Sequence, residues 1–419
     1  MSAKQLTLRG VLKTLGPGIL YAGAAIGASH LVQSTRAGAD YSFELIWVIV
    51  LVNLFKYPFF EFAYRFTAAT GKSMLEGYKH LGSWALVTYF ILSFITALIN
   101  FAAVVLVCSG LTAFFFNLQI NLFYVSIALL LAVLIMLLIG HYAILDWTTK
   151  GMVLILSVAT IMAFIIAVNR GTNINEGFVP IALWDAAGIT FLIALMGWMP
   201  TPIEASVWPS LWTLERKKQT KYEPSYKEQL FDFHAGYICS AVMALFFLGL
   251  GALVLYGTEV QFSNSSVVFS GQLVSVYSKT FGDWSTPLMA AIALLTMFST
   301  AITVIDGYPR TLEASIIQIS PSMKKFSPKL YWVWVLFLSL VSVLIIGVFT
   351  SSMKLVLDFA TIISFLAAPF FAFINYKVVT SNFIPQEHHP PKWLKALSWL
   401  GIIFLLAFSI LYIVSRIVY

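Results

Sequence analysis

The sequence predicts an all-helical protein that crosses a membrane many times. Hydrophobic residues make up 60% of its 419 positions and only 10% are charged, whereas soluble proteins average roughly 45–50% apolar and about 25% charged residues. The mean hydropathy is +0.88. Because a soluble domain could not bury that much apolar surface, we expect a polytopic membrane protein. The bilayer is then its main partner, and the net charge of +7 does not indicate nucleic-acid binding.

Eleven windows are apolar enough to be membrane-spanning helices, each of which needs about 20 residues. We number them span one to span eleven. They cover roughly residues 16–37, 44–68, 84–112, 121–140, 150–168, 185–212, 234–257, 284–305, 331–349, 354–377 and 396–416. The links between them are short, and even the longest, 213–233 and 258–283, leave no room for a separate soluble domain.

The positive charges predict an orientation for these spans. Of the 25 lysines and arginines, 19 fall in segments on the side of the N-terminus and five on the other side, while Lys56 lies within span two. Lysine and arginine are enriched in cytoplasmic segments. We therefore expect the N-terminus in the cytoplasm and the C-terminus outside, in an inner or plasma membrane.

Spans one and six carry residues that interrupt a helix. Span one contains the small residues of "GASH", Gly27–His30, and span six contains "MPTP" with Pro200 and Pro202 two positions apart. Proline in a helix interior costs about 3 kcal/mol, and broken backbone at membrane depth is tolerated only around a cavity or inside protein. We expect both spans to be unwound. The alternatives are a small-residue packing face in span one and a simple proline kink in span six, which would have the same sequences.

The two interruptions are five spans apart, which is typical of two inverted five-helix repeats with a binding site where the broken helices meet. Repeat one would cover about residues 14–170 and repeat two about 184–378. A further helix would follow at about 394–417. The whole chain, 1–419, is then one transmembrane transporter domain.

Several motifs near the N-terminus carry a family resemblance: "GPG" before span one, "AGADY" after it, "LIWV" at the start of span two and "TGKSMLEGY" after span two. They resemble the opening of the NRAMP-type divalent-metal transporters. The resemblance implies a LeuT-like 5+5 inverted repeat plus one helix. It also implies secondary transport of a divalent transition metal ion by alternating access, coupled to H⁺.

The metal-binding motifs of that family are degenerate in this chain. Where the family has Asp-Pro-Gly-Asn in span one, this sequence reads Gly27, Ala28, Ser29 and His30. Its span-six Met-Pro-His motif is here Met199, Pro200 and Thr201. The usual aspartate and asparagine ligands are therefore replaced.

The candidate site residues follow from these positions. For substrate binding they are Gly27, Ala28, Ser29, His30, Met196, Met199, Pro200 and Thr201. His30 and Met199 are the candidate metal ligands, although a methionine of this kind is more often packing. His30, Glu204 and Lys56 are candidates for ion coupling, because ionisable groups inside a membrane are expensive and usually functional. Glu204 could instead stabilise a helix N-terminus.

Two further charged pairs lie at the predicted membrane boundary. Glu61 and Arg65 are four residues apart at the end of span two, a spacing at which opposite charges pair on a helix. Asp306 and Arg310 have the same spacing at the end of span eight. We expect two interfacial ion pairs, with Asp306 solvated.

The sequence does not decide which substrate, the cargo, is transported. Small side chains at Gly27–Ser29 would expose backbone N–H groups and free space for a small organic solute, amino-acid-like or carboxylate-like. Na⁺ is the alternative coupling ion, held by carbonyls near the first break and by hydroxyls such as Ser299, Thr300 and Thr303. A channel or a non-transporting sensor is a further alternative.

The sequence contains none of the common motifs that indicate an enzyme. There is no glycine-rich phosphate loop, nucleophile elbow or zinc signature. We therefore expect no enzyme and no cofactor. The missing nucleotide-binding motif favours secondary over ATP-driven transport, and nothing in the sequence indicates an oligomeric state.

Overall fold

A computed structural model describes residues 14, 16–172, 174–258, 260–350 and 352–418, without the side chains of 140–150, 152 and 153. The described residues form helices and loops only. The N-terminal tail up to residue 13, which contributes to the predicted charge bias, lies outside this description, as does the C-terminal Tyr419.

The helix bounds follow the predicted windows closely. In chain order the helices are Pro17–Ala25, Ile26–Ser34 (a π-helix), Thr35–Tyr41, Ile46–Thr70, Met74–Leu81, Ser83–Phe115, Leu122–Arg170, Ala186–Trp198, Ile203–Val207 (3₁₀), Trp208–Thr220, Tyr226–Val254, Ser266–Phe281, Asp283–Ser285 (3₁₀), Thr286–Ile319, Pro321–Phe326 (3₁₀), Ser327–Phe349, Met353–Val379, Gln386–His388 (3₁₀) and Lys392–Val418.

Nine helical segments in the described part of the chain are long and apolar enough to cross a membrane, and Leu154–Arg170 is a shorter apolar one. Together with span one, which is assigned in three short pieces, they correspond one to one to the eleven predicted windows. How many of them cross a bilayer stays a prediction, as do the two repeat boundaries.

Spans four and five lie within one continuous helical assignment, Leu122–Arg170. A straight 49-residue helix would be about 73 Å long. Its two ends nevertheless lie on the same side of the molecule, where Phe123 packs against Gly347 and the Arg170 guanidinium donates to the Lys279 carbonyl at 2.9 Å. The assignment therefore contains two spans that run in opposite directions.

Local sequence signals explain several helix ends. The Ser73–Glu76 and Ser225–Glu228 pairs form capping boxes, in which each side chain satisfies a backbone N–H that the helix leaves free. The Asp185 carboxylate accepts from Gly188 N at 2.7 Å and starts span six. Gly71 ends span two with φ 68°, a left-handed conformation that favours glycine.

Spans one and six lie at the centre of the bundle. In span six 78% of the most apolar window is buried, whereas the value is only 28% for spans nine and eleven. Span seven holds the start of span one, because the Asp232 carboxylate accepts from Gly16 N at 3.1 Å and Gly18 N at 2.7 Å. Span eleven, with 28% of its most apolar window buried, lies at the periphery.

The predicted boundary pairs are both present. Arg65 binds Glu61 through two hydrogen bonds of 3.0 and 2.6 Å, and Arg310 binds Asp306 in the same way at 3.0 and 2.6 Å. Asp306 differs from the expectation in one respect, since it is buried rather than solvated. It also accepts hydrogen bonds from the indole of Trp212 and the hydroxyl of Tyr331, which close around it from two other elements.

Candidate functional site

Span six is interrupted at its two prolines. The first half-helix ends at Trp198, Met199 is extended at φ −89° and ψ 117°, and a short 3₁₀ turn beginning at Ile203 leads into the second half-helix. Neither Pro200 nor Pro202 has an N–H to continue the helical pattern. The break therefore leaves carbonyl oxygens at the end of the first half-helix without helical partners.

Span one departs from regular helix at the predicted place, but in a different form. Ile26–Ser34 is a π-helix that joins the flanking α-helices without an extended gap. Its backbone N–H groups are therefore engaged in helical bonds, and the anion site that we expected from an unwound "GAS" segment has no free donors here. The close approach of span eight is a second constraint, because a Cβ on Gly27 would lie 1.9 Å from Thr300 Oγ1.

An enclosed cavity lies where spans one and six meet spans three and eight. About 30 Å³ of it is open to the centre of a water-sized sphere, which is room for roughly two water molecules. Its walls are formed by Ala24, Ala28, Ser29, Asn100, Val104, Trp198, Pro200, Thr201, Pro202, Ala205, Trp208, Thr300, Val304 and Tyr308. The walls carry hydroxyl, amide and indole groups but no carboxylate, imidazole or thioether.

Two buried polar atoms of this wall, Ser29 Oγ and Trp208 Nε1, lack a partner among the described residues. The Thr201 hydroxyl, also in the wall, lies within hydrogen-bonding reach of the buried Tyr21 hydroxyl. A buried polar group without a hydrogen bond costs about 1–3 kcal/mol. Such groups converging on one cavity point to a bound molecule that satisfies them.

The predicted site residues divide into two groups. Ala28, Ser29, Pro200 and Thr201 line the cavity, whereas Gly27, His30, Met196 and Met199 are buried outside its wall. The structure therefore does not bring the two candidate metal ligands into one site. Nor does the described part of the chain contain any cluster of three or more His, Cys, Asp or Glu side chains that could hold a metal ion.

His30 points towards span seven rather than into the cavity. Its Nε2 donates to the Ser240 carbonyl at 2.8 Å, and because a carbonyl only accepts, this nitrogen carries the proton. The Ser240 hydroxyl is 3.1 Å from the same nitrogen, and the ring meets Phe247 edge-on. The imidazole thus ties span one to the scaffold.

Met199 belongs to a hydrophobic cluster with Phe60, Leu195 and Phe365. Its side chain is fully buried, as is that of Met196 in the same cluster. Both methionines therefore contribute apolar packing around the span-six break in this structure.

Glu204 lies just behind the cavity wall. Its Oε1 is within 3.2 Å of Asn100 Nδ2 and 3.3 Å of the Tyr308 hydroxyl, both groups that line the cavity. Ser364 Oγ from span ten is 3.4 Å from the same oxygen. The Thr96 hydroxyl of span three and the backbone N–H of Glu204 also lie within hydrogen-bonding reach of the carboxylate.

Lys56 reaches from span two to the break in span six. Its ammonium donates to the carbonyl oxygens of Met196 at 2.7 Å, Gly197 at 3.0 Å and Thr201 at 3.3 Å. The side chain is completely buried, and Glu204 attracts it electrostatically. Lys56 thus caps the carbonyl end of the first half-helix, where the helix dipole is negative.

Some site residues could not be identified from the sequence. Asn100, Tyr308, Ser364 and Trp208 come from four different elements, and no sequence motif connects them. The one local feature is that Asn100 is the most polar large residue of span three.

An ion pair lies at the end of span one. Arg36 Nη1 lies 2.9 Å from Asp358 Oδ1 at the start of span ten, and also donates to Gln33 at 2.9 Å. The guanidinium lies over the ring of Phe191 at 5.0 Å. This pair connects the end of span one to the start of span ten.

The sequence of the chain matches a known protein family and a bacterial relative. The family described as natural resistance-associated macrophage protein-like matches residues 18–415. An uncharacterized protein of Pasteurella multocida, PM0681, is 37% identical over 407 residues, covering 96% of this chain and 92% of that protein.

Solved structures with the same fold share little sequence with the chain. A manganese transporter of Eremococcus coleocola, in complex with an aromatic bis-isothiourea substituted compound, aligns with a TM-score of 0.73 at 15% identity over 100% of this chain and 89% of that one. MhsT in complex with L-phenylalanine aligns with a TM-score of 0.62 at 11% identity, over 97% and 99%. The predicted LeuT-like fold is confirmed.

Proposed function

The chain belongs to the NRAMP-like family of multi-pass secondary transporters, and we propose that its cargo is a small polar organic solute rather than a divalent metal ion. One observation supports this proposal most strongly. The cavity between the two interrupted spans is lined by hydroxyl, amide and indole groups, and none of its described wall residues is charged.

The chemistry of metal binding argues in the same direction. Divalent transition metals need carboxylate, imidazole or thiolate ligands to compensate their charge. His30 is bonded to Ser240 and Met199 is packed in an apolar cluster. The ammonium of Lys56 stands at the span-six break, where it would repel a dication.

The cavity offers suitable groups to an organic solute instead. The unpartnered Ser29 hydroxyl and Trp208 indole, and the Thr201 hydroxyl beside Tyr21, can donate to a carbonyl or carboxylate oxygen. Val104 and Val304 supply apolar contacts for its carbon atoms. At its present size the cavity is closed around two waters at most, so the carrier admits the solute by opening, as alternating access requires.

A divalent metal ion is the second candidate, and the family membership itself favours it. Mn²⁺ would have to be held by hydroxyl and carbonyl oxygens, with water completing the shell. If Mn²⁺ is the cargo, it should bind to the purified protein in the absence of any organic ligand.

For the coupling ion we propose H⁺, with Glu204 as its carrier. The carboxylate is buried and touches Asn100 and Tyr308 of the cavity wall. Thr300 donates to Gly23 O at 3.0 Å and Thr303 to Ser299 O at 2.9 Å, so both hydroxyls keep lone pairs and Na⁺ is the alternative coupling ion.

A binding titration of the purified transporter tests the cargo. Amino acids, carboxylic acids and Mn²⁺ are titrated separately by calorimetry, followed by uptake into proteoliposomes. We expect an organic acid or amino acid to bind and Thr201→Val to weaken that binding about tenfold, the value of one lost hydrogen bond. Thr303→Val, which removes a buried hydroxyl outside the cavity wall, is the matched control and should bind normally. Saturable binding of Mn²⁺ by the unmodified protein would refute the organic-solute proposal.

A further inference from the structure

We infer that the ammonium of Lys56 is a built-in cation that occupies the position of a metal ion at the carbonyl end of the span-six break, with Glu204 as its counter-charge. The inference is independent of the cargo. It concerns what keeps an interrupted helix stable at membrane depth.

The geometry around Lys56 is that of a cation site. The three N–H donors of an ammonium group meet three carbonyl oxygens, at 2.7, 3.0 and 3.3 Å. Two of these oxygens, from Met196 and Gly197, belong to the last turn of the first half-helix, and the third, from Thr201, lies across the break. A bound alkali ion would be held by carbonyl oxygens in the same way.

The position is one that a cation stabilises. The last carbonyls of a helix together carry about half a negative elementary charge. The Met196 carbonyl has no helical donor because residue 200 is proline, and the Gly197 carbonyl has none because the helix ends at Trp198. Unsatisfied backbone groups at membrane depth cost several kcal/mol each. Lys56 satisfies three of them with one side chain from span two, so the break persists without a bound metal ion.

Glu204 lies past the break and attracts the ammonium of Lys56 without a direct ion-pair contact. Both groups are completely buried. Removing one member of a buried pair leaves an uncompensated charge, whereas removing both is often tolerated. The loss of Lys56 alone should therefore create a site with three carbonyl oxygens and an unpaired carboxylate, which a small cation can fill.

Thermal unfolding of the purified protein tests this inference. Unfolding is measured without any solute, in sodium, potassium, lithium or N-methylglucamine chloride at equal ionic strength. We expect the wild type to have the same midpoint in all four salts. Lys56→Ala should unfold at a lower temperature in N-methylglucamine and recover by about 5 °C in a saturating concentration of one of the small cations. Ethylammonium chloride, which supplies the missing group, should also restore it.

Two further variants make the result specific. Asn53→Ala removes a buried amide one turn earlier on span two, whose Nδ2 donates to Ile49 O at 2.8 Å, and it should show no cation dependence. Lys56→Met combined with Glu204→Gln removes both charges and should be less sensitive to cations than Lys56→Met alone.

The outcomes decide the inference in either direction. A wild-type midpoint that rises with one cation in a saturable manner would overturn it, because the site would already need a metal ion. So would Lys56 variants that stay destabilised in every salt and in ethylammonium. Since no cargo is present, a failure here leaves the proposed function standing, and a failure of the cargo titration leaves this inference standing.

Discussion

Gly27 is the point at which span one packs most tightly against span eight. An added Cβ would lie 1.9 Å from Thr300 Oγ1 and 2.8 Å from Thr300 Cβ, both inside the distance that real Cβ atoms keep. In the NRAMP-type pattern the position equivalent to Gly27 carries the metal-binding aspartate. Here Thr300 of span eight fills the space beside Gly27 and donates to Gly23 O and Thr296 O.

Gly27→Ala should therefore destabilise the protein. Overpacking of a filled core costs about 1–3 kcal/mol, and we expect a lower midpoint of thermal unfolding in detergent. Gly151→Ala is the control, because a Cβ there would meet nothing within 4 Å and alanine is the better helix former. Thr300→Ala should return part of the loss, since it removes the closest clashing atom. If Gly27→Ala were as stable as the wild type, the close approach of spans one and eight would be wrong.

The sequence located part of the site and missed the rest for a physical reason. Small residues and prolines act locally, so "GAS" and "MPTP" could be assigned to the place where the cavity lies. The direction of a side chain is set by the packing of neighbouring elements. The His30 ring points to Ser240 in the π-helical register of span one. Tyr308 reaches Glu204 because of the way span eight packs. Neither contact can be predicted from the local sequence.

At the scale of elements, two polar clusters bracket the cavity at its opposite ends. Arg36 and Asp358 join span one to span ten. At the other end Asp306 collects hydrogen bonds from Trp212 of span six and Tyr331 of span nine. In an alternating-access carrier, a contact that crosses from one moving element to another must break when that end opens. The two clusters are thus candidates for the closures of the two ends.

Asp358→Asn should favour opening at the Arg36 end. The pair is partly exposed, and the loss of about 1 kcal/mol would raise the open population about fivefold. An Ala28→Cys reporter in the cavity wall, in a background where Cys108 and Cys239 are replaced, should react correspondingly faster with an impermeant thiol reagent added to that side.

The opposite end supplies the control for this measurement. Asp306→Asn loosens the other cluster and should not raise labelling from the Arg36 end. Exchanging the charges, Arg36→Asp with Asp358→Arg, should restore slow labelling. Equal labelling rates in the wild type and in Asp358→Asn would show that the ion pair does not hold this end closed.

Element positions were more predictable than element shapes. The apolar windows match the helices because hydrophobic length is a property of the local sequence. Span one is π-helical rather than broken open, and it contacts Thr300 and Ser240, which belong to distant spans. The same limit applies to spans four and five, whose predicted link carries no proline or glycine pair to mark its turn.

At the scale of the whole molecule, charge distribution and helix length together define two faces. Span eight and its flanking turns form a helix, Thr286–Ile319, of about 50 Å, longer than the roughly 30 Å apolar core of a bilayer. Its two ends therefore emerge on opposite sides. The segment before it contains the exposed Ser265, and the segment after it contains Ser322 beside Lys324 and Lys325.

The bias of 19 to five among the lysines and arginines predicts that the lysine-rich segment at Ser322 lies in the cytoplasm. Single cysteines at Ser265 and Ser322, each in a background that lacks Cys108 and Cys239, report this with an impermeant reagent on intact cells. We expect Ser265→Cys to be labelled directly and Ser322→Cys only after the membrane is permeabilised. The reverse pattern would place the N-terminus outside. It would also assign the Arg36–Asp358 closure to the cytoplasmic end, because that ion pair lies on the same face as Ser265.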